Sequence, residues 1–199
     1  MLQLSDQYWN NRYLTNDFGW DIGEISTPLK TYFESLTNKN LRILIPGAGN
    51  AYEAEWLIKN GFKNIYVCDY ASEPLKNLKS RCYEFPANQL LQVNFFELMN
   101  LSFDLIVEQT FFCAIDRTLR PTYFKKIEEL LAPNGSLVGL LFNTNFANED
   151  AQPPFGGHKQ EYLTCIQETK LKIHKLEPCY NSIPPRSNRE LFIHLIKLV

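Results

Sequence analysis

One stretch limits the possible folds more than any other. From Leu41 to Asp69 the chain offers a short apolar run, a turn with two glycines, a helical stretch and a second apolar run closed by an acid. Leu41-Arg42-Ile43-Leu44-Ile45-Pro46 leads into Gly47-Ala48-Gly49-Asn50-Ala51, and the helical stretch reaches Asn60. Ile65-Tyr66-Val67-Cys68 then ends at Asp69. A strand, turn, helix and strand of this length form the half-fold that binds nucleotides. The two glycines let backbone close on a ligand, and the helix behind them points free N–H groups at it. Asp69 lies twenty residues beyond Gly49, where such half-folds place the carboxylate that grips ribose hydroxyls. The expected ligand is an adenosine-containing cofactor. The competing readings are an ordinary tight turn at the glycines and a helix cap at Asp69.

The rest of the chain repeats the alternation. Asp6–Tyr13 reads as a helix with Tyr8, Trp9 and Tyr13 on its aromatic side, followed by a loop holding Trp20, Asp21 and Gly23. Thr27 suits a cap for a helix begun by Pro28, with Leu29, Tyr32, Phe33 and Leu36 at helical spacing. Strands are expected at 42–45, 65–68, 89–93, 103–107, 136–142, 170–177 and 191–198. Helices are expected at 72–85, stopped by Pro86, at 120–131, ended by Pro133-Asn134-Gly135, and at 159–168. A long loop, Asn143–Gly157, carries Pro153, Pro154, Gly156 and Gly157, and loops of that length are often lids or binding loops. Alternation of this kind gives a doubly wound, mostly parallel sheet, with the ligand at the carboxyl ends of the strands.

Composition narrows the class. The 199 residues suit a single domain, with a cover segment at 1–38 and a core at 39–199. A net charge of −2 gives no electrostatic footprint for nucleic acid or a membrane surface, and no apolar run is long enough to cross a bilayer. Met1-Leu2-Gln3-Leu4-Ser5-Asp6 lacks the basic start and apolar stretch of a signal peptide. The five cysteines form no C-x-x-C pair and the three histidines stand far apart, so no metal is expected. The picture is a cytoplasmic monomer or weak homo-oligomer acting on a small molecule.

A dinucleotide turn reads G-x-G-x-x-G, but Tyr52 fills the last position and opposes close packing around a pyrophosphate. Gly47-x-Gly49-x-Ala51 resembles instead the turn of class I S-adenosylmethionine (SAM) methyltransferases. Further stretches agree: Asn94-Phe95-Phe96-Glu97-Leu98, Glu108-Gln109-Thr110-Phe111-Phe112-Cys113-Ala114-Ile115-Asp116, Trp20-Asp21-Ile22-Gly23 and Pro153-Pro154-Phe155. Together they resemble the thiopurine S-methyltransferase superfamily, and most closely its halide/thiol methyltransferase branch, from about Trp9 to Val199. Thr110-Phe111-Phe112-Cys113-Ala114-Ile115 is the strongest match.

The resemblance implies a seven-stranded Rossmann-like sheet with an antiparallel last strand and an N-terminal helical cover. It implies SAM as cofactor and S-adenosylhomocysteine as product. Gly47 would approach the methionine portion, Gly49 would bind the cofactor in the same turn, Asp69 would hold the ribose, and Asn94 and Phe95 would border the adenine. Trp9, Tyr13 and Trp20 would cover the cofactor, Gln109 would lie beside it, and Phe111, Phe112 and Phe155 would line the acceptor pocket. Three positions depart from the family pattern. Asn94 stands where Asp is common, Glu108-Gln109 replaces Asp-Tyr, and Tyr13 replaces a second tryptophan of the cover. An amide at 94 can still accept from an adenine amino group and donate to a ring nitrogen. Losing the aromatic at 109 makes the pocket more polar.

Methyl transfer needs in-line placement of the nucleophile and exclusion of water more than acid–base chemistry. The implied acceptor is a small soft nucleophile: a thiol, sulfide, halide or a related selenium or tellurium species. The alternatives are a small oxygen or nitrogen acceptor, or a SAM-binding regulatory protein without turnover. A thiol benefits from a nearby cation or base, and Arg120, His158 and Glu108 are the candidates. Against these roles, Arg120 reads as a structural ion-pair or helix-start residue, and His158 as a local cap.

Overall fold

A computed structural model describes residues 4–147 and 152–198. Met1-Leu2-Gln3, the middle of the expected 143–157 loop and Val199 lie outside the described residues. The elements are α1 (Asp6–Leu14), α2 (Thr27–Glu34), β1 (Arg42–Pro46), α3 (Tyr52–Lys59), β2 (Asn64–Asp69), α4 (Ser72–Arg81), β3 (Leu90–Gln92), β4 (Phe103–Gln109), α5 (Arg120–Leu130), β5 (Leu131–Phe142), α6 (Lys159–Gln167), β6 (Leu171–Pro178) and β7 (Glu190–Lys197).

The strands form one sheet in the order β3-β2-β1-β4-β5-β7-β6. β1 to β5 run parallel, and β7 runs antiparallel to both β5 and β6. Successive side chains of a strand point to opposite faces, so Ile43 and Ile45 enter one core and Leu44 the other. The first core is closed by Leu29 and Phe33 of α2, Ala54 and Leu57 of α3, and Leu75 and Leu78 of α4. The second is closed by Tyr123, Phe124 and Ile127 of α5 and by Tyr162 and Ile166 of α6. Burying each such side chain contributes about 1.5–3 kcal/mol, which is why the sheet is apolar on both faces. Strand order reverses between β1 and β4, so the loops after these two strands face each other across a crevice.

Several boundaries differ from the sequence reading, each for a local reason. Ser26, not Thr27, is the extended residue before α2, and its carbonyl accepts the first helical bond from Lys30 N–H at 2.9 Å. Helix α4 ends at Arg81 rather than Phe85 because Cys82 leaves the helical region at ψ 72°, and the Lys79 ammonium reaches forward to the carbonyls of Tyr83 and Phe85, both at 2.6 Å. Pro133-Asn134-Gly135 bends the chain inside β5 instead of ending α5. Asn134 takes a left-handed φ of 62°, and the ladder with β4 shifts register there. A Cβ at Gly135 would press on the carbonyl oxygens of Ala132 and Phe103. β4 continues to Gln109, which carries Glu108 into the strand and under the sheet end.

Candidate active site

The loops after β1, β2, β3 and β4, the α1 cover and the 153–154 segment enclose a cavity of about 290 Å³ at the carboxyl end of the sheet. On its floor Gly47 and Gly49 both hold φ of 53°, and the adjacent Ala51 holds 54°. Both glycines are tightly approached. A Cβ on Gly47 would overlap the Phe111 ring, and one on Gly49 would lie 2.8 Å from the Tyr13 hydroxyl oxygen. The turn after β1 is thus clamped between the turn after β4 and the cover.

Asp69 ends β2 beside this turn. Its Oδ2 accepts from Gly49 N–H at 3.3 Å and its Oδ1 from Ala71 N–H at 3.0 Å. An ionised carboxylate has about four lone-pair positions, so two remain for a ligand. Burial pushes its pKa up to about 6, against the pull of those backbone N–H groups. A diol donating to the free lone pairs would favour the ionised form. The Asn94 amide oxygen accepts from Phe96 N–H at 3.1 Å, which closes a short helical turn and sets Phe95 edge-on to Phe111 at 5.4 Å between ring centres.

The cover is built from aromatics. Trp20 meets Trp9 at 5.6 Å and Tyr13 at 6.0 Å, edge to face in both cases. The cover is tied to the body by polar contacts. Asn10 Oδ1 accepts from Glu73 N–H at 3.0 Å and so caps α4, Tyr70 hydroxyl donates to the Leu4 carbonyl, and Asp21 accepts from the Asn50 amide. Arg186 is buried and donates from Nη2 to the Trp20 carbonyl at 2.7 Å. Sequence gave no signal for Arg186, because 166 positions separate it from Trp20 and only the β6–β7 connection brings them together.

Nine residues expected around the cofactor all line the cavity: Trp9, Tyr13, Trp20, Gly47, Gly49, Asp69, Asn94, Phe95 and Gln109. Phe111 lines it as well. The other acceptor-side expectations are corrected by packing. Phe112 points the opposite way from Phe111, into the core against Tyr123, Phe124 and Tyr162. Phe155 contributes backbone: its N–H donates to the Cys113 carbonyl at 2.7 Å, and Pro153 and Pro154 line the cavity in its place.

The three expected acid–base groups lie off the cavity wall. Arg120 is 1% exposed and spends its guanidinium on Glu161 and on the carbonyls of Phe155 (3.2 Å) and Gly156 (2.8 Å). It pins the 153–157 segment to α5 and α6. His158 is exposed before α6, its Nε2 2.9 Å from Asn145 Oδ1. Glu108 is fully buried. Its Oε1 accepts from Phe111 N–H (2.8 Å) and Phe112 N–H (2.9 Å), and its Oε2 from the Tyr123 hydroxyl (2.6 Å). Burial pushes its pKa up to about 7. Its geometry makes it the anchor of the turn that carries Phe111, with Thr110 held at φ 59°. Residues not singled out for the site by sequence also line it, among them Tyr52, Tyr70, Asp116 and Leu119.

The site suits a ligand with a diol, a flat ring and a positive charge: it offers a strand-end carboxylate, a ring-edge phenylalanine beside an amide, and aromatic faces. Among the described residues no group of three or more His, Cys, Asp or Glu could hold a metal ion.

Comparison with known proteins agrees with the geometry. A model of the family described as Thiopurine S-methyltransferase (TPMT) matches residues 4–193. A probable thiol methyltransferase 2 of Arabidopsis thaliana is 25% identical over 166 residues, covering 81% of this chain and 72% of the relative. Thiocyanate methyltransferase 1 of Brassica oleracea is 26% identical, covering 86% and 76%. In fold, the chain superposes with a TM-score of 0.72 on magnesium protoporphyrin IX methyltransferase from Synechocystis PCC 6803, solved with bound SAM, at 10% identity and with 99% and 98% coverage.

Proposed function

From the premise that this chain belongs to the thiopurine S-methyltransferase family, and is therefore a SAM-dependent methyltransferase, we propose that its acceptor is a small soft nucleophile. The class comprises thiols, sulfide, halides and related selenium or tellurium species. The observation that carries the reading is the lining supplied by the segment after β4, where Phe111, Cys113, Ala114, Ile115 and Leu119 outnumber the polar Thr110 and Asp116. Such a wall suits a polarisable acceptor atom and offers a hard oxygen nucleophile few partners.

When bound, SAM supplies a methyl group already activated on a sulfonium. Asp69 would hold the ribose hydroxyls, Asn94 and Phe95 would border the adenine, and Gly47 would leave room for the methionine backbone. Trp9, Tyr13 and Trp20 would close the mouth, exclude water and face a cation with their rings. Phe111, fixed by Glu108 through its own N–H, would set the acceptor's distance from the reacting carbon. Glu108 therefore acts by positioning the wall.

Among the described residues no helix is long and apolar enough to cross a membrane. Calorimetry with SAM, S-adenosylhomocysteine and NAD, followed by a labelled-SAM screen over thiols, sulfide, iodide and phenols, tests the proposal. The expected result is binding of the two adenosyl ligands and label transfer to a sulfur or halide acceptor. Transfer to phenols alone, or tight SAM binding with no transfer to anything, would contradict it.

A further inference from the structure

Away from the cavity, two histidines meet on the sheet. His174 of β6 and His194 of β7 are twenty positions apart in the chain, yet their ring centres stand 4.7 Å apart, with the rings at 68°. The sheet brings them together in two ways. β6 runs antiparallel to β7, and its register shifts along the way. Ile173 pairs with Leu195 and Lys175 with His194, so His174 is the extra residue of a bulge. A bulge re-aims a side chain that strict alternation would send to the other face. His194 is half-buried and His174 exposed, so the pair opens to solvent on one side.

The His194 ring is fixed from behind. Its Nε2 lies 3.2 Å from the Ser136 hydroxyl oxygen on β5, and the Tyr32 ring of α2 stands 5.9 Å away, edge to face. A metal-bound imidazole commonly engages its second nitrogen in a bond of this kind, which leaves Nδ1 for the ion. Two imidazoles bonded at about 2.0–2.1 Å to one ion, at an angle of roughly 90–110°, have ring centres roughly 4.5–5.2 Å apart. The observed 4.7 Å falls within that interval. The other groups facing the pair are the Tyr32 phenol, which burial keeps neutral, and the Lys175 ammonium. Lys175 lies 3.6 Å from the Glu177 carboxylate, which offsets its repulsion toward a cation.

The geometry points to a divalent-metal site made by His174 and His194, taking an ion of the zinc or copper(II) class. Imidazole nitrogens suit these ions, whereas magnesium and calcium take oxygen ligands. Among the described residues no third His, Cys, Asp or Glu completes the set, so water fills the remaining positions. The ion ties β6, the edge strand, to β7, its neighbour in the sheet. Its role is in stability. The site is independent of the methyltransferase reading, because neither histidine lines the cavity.

The test uses the full chain, freed of metal with a chelator and titrated by calorimetry at pH 7.5 with zinc, copper(II) and magnesium chlorides. One zinc ion is expected to bind with a dissociation constant below about 0.1 mM, copper(II) at least about tenfold more tightly, and magnesium not at all. His174→Ala, at an exposed position, is expected to weaken zinc at least about 30-fold by leaving a single ligand. Ser136→Ala is expected to weaken it about tenfold by freeing the His194 ring. His158→Ala, which removes the third histidine of the chain, is expected to change nothing. Nitrogen-15 spectra are expected to show zinc shifting His194 Nδ1 while Nε2 stays protonated. Saturating zinc is expected to raise the thermal midpoint of the wild type and leave that of His174→Ala where it was. Zinc held equally by the wild type and His174→Ala, zinc lost with His158→Ala, or no zinc bound below about 0.1 mM would each overturn the proposal. None of these outcomes bears on SAM binding or methyl transfer, which are read separately.

Discussion

The two sides of the crevice are made by different means. At the ends of β1 and β2 the site is made largely by backbone and spacing. Gly47 and Gly49 sit in left-handed conformations, and one carboxylate stands at a strand end. Beyond β4 it is made by side-chain packing. There Glu108, Phe112, Tyr123 and Arg120 are buried, and their task is to hold Phe111 and the 153–157 segment in place. Chemistry-bearing residue types near a pocket are therefore no guide to which of them face it. On this side Glu108, Arg120 and Phe112 serve as scaffold, while Phe111 and Asp116 reach a wall that is otherwise mostly apolar.

Substitutions can break this contrast, the largest effect first. Phe112→Ala removes a ring packed against three other aromatics and is expected to cost about 3–5 kcal/mol in chemical denaturation. S-adenosylhomocysteine affinity of the folded protein should stay within about threefold. Affinity lost without stability would place Phe112 in the pocket after all.

Glu108 comes next, and its effect depends on pH. Its folded pKa of about 7 lies above the ordinary 4.5. The native state therefore holds the proton more tightly than the unfolded chain, and stability falls as pH rises from about 4.5 to about 7. Glu108→Gln keeps an acceptor for Phe111 and Phe112 N–H without the charge. Relative to wild type it should gain on the order of 3 kcal/mol at pH 8 and little at pH 5. An equal difference at both pH values would remove the buried charge from the account.

On the cofactor side, Gly47→Ala forces a side chain into a left-handed φ and against the Phe111 ring. The expected cost is about 1–3 kcal/mol of stability together with a loss of at least about tenfold in adenosyl-ligand affinity. A merely structural glycine would lose stability alone. The smallest effect is expected for the exposed His158. His158→Ala should change stability by less than about 0.5 kcal/mol and leave the rate and its pH profile unaltered. An altered profile would return an acid–base role to that residue.

The same contrast explains what the sequence disclosed. The alternation of strands and helices and the Gly47–Asp69 spacing follow from local chemistry, so the sheet and the cofactor side were legible. The antiparallel last strand came from resemblance. Phe111 and Phe112 could not be told apart, because which neighbour faces the core depends on the left-handed Thr110 and on the Glu108 anchor. Arg120 and Phe155 lie 35 positions apart, and Arg186 and Trp20 166 apart. No periodicity records such contacts. The Pro133-Asn134-Gly135 turn was recognised but misplaced, since a bulge inside a strand and a loop between elements use the same residues.

The central claim is that the Asp69 carboxylate holds the cofactor's ribose from the end of β2. Calorimetric titration of Asp69→Ala with S-adenosylhomocysteine tests it most directly, since it removes both carboxylate oxygens that would meet the ribose diol. The account predicts a loss of at least about 100-fold in affinity with the fold retained by circular dichroism. An affinity within twofold of wild type in the folded variant would contradict it.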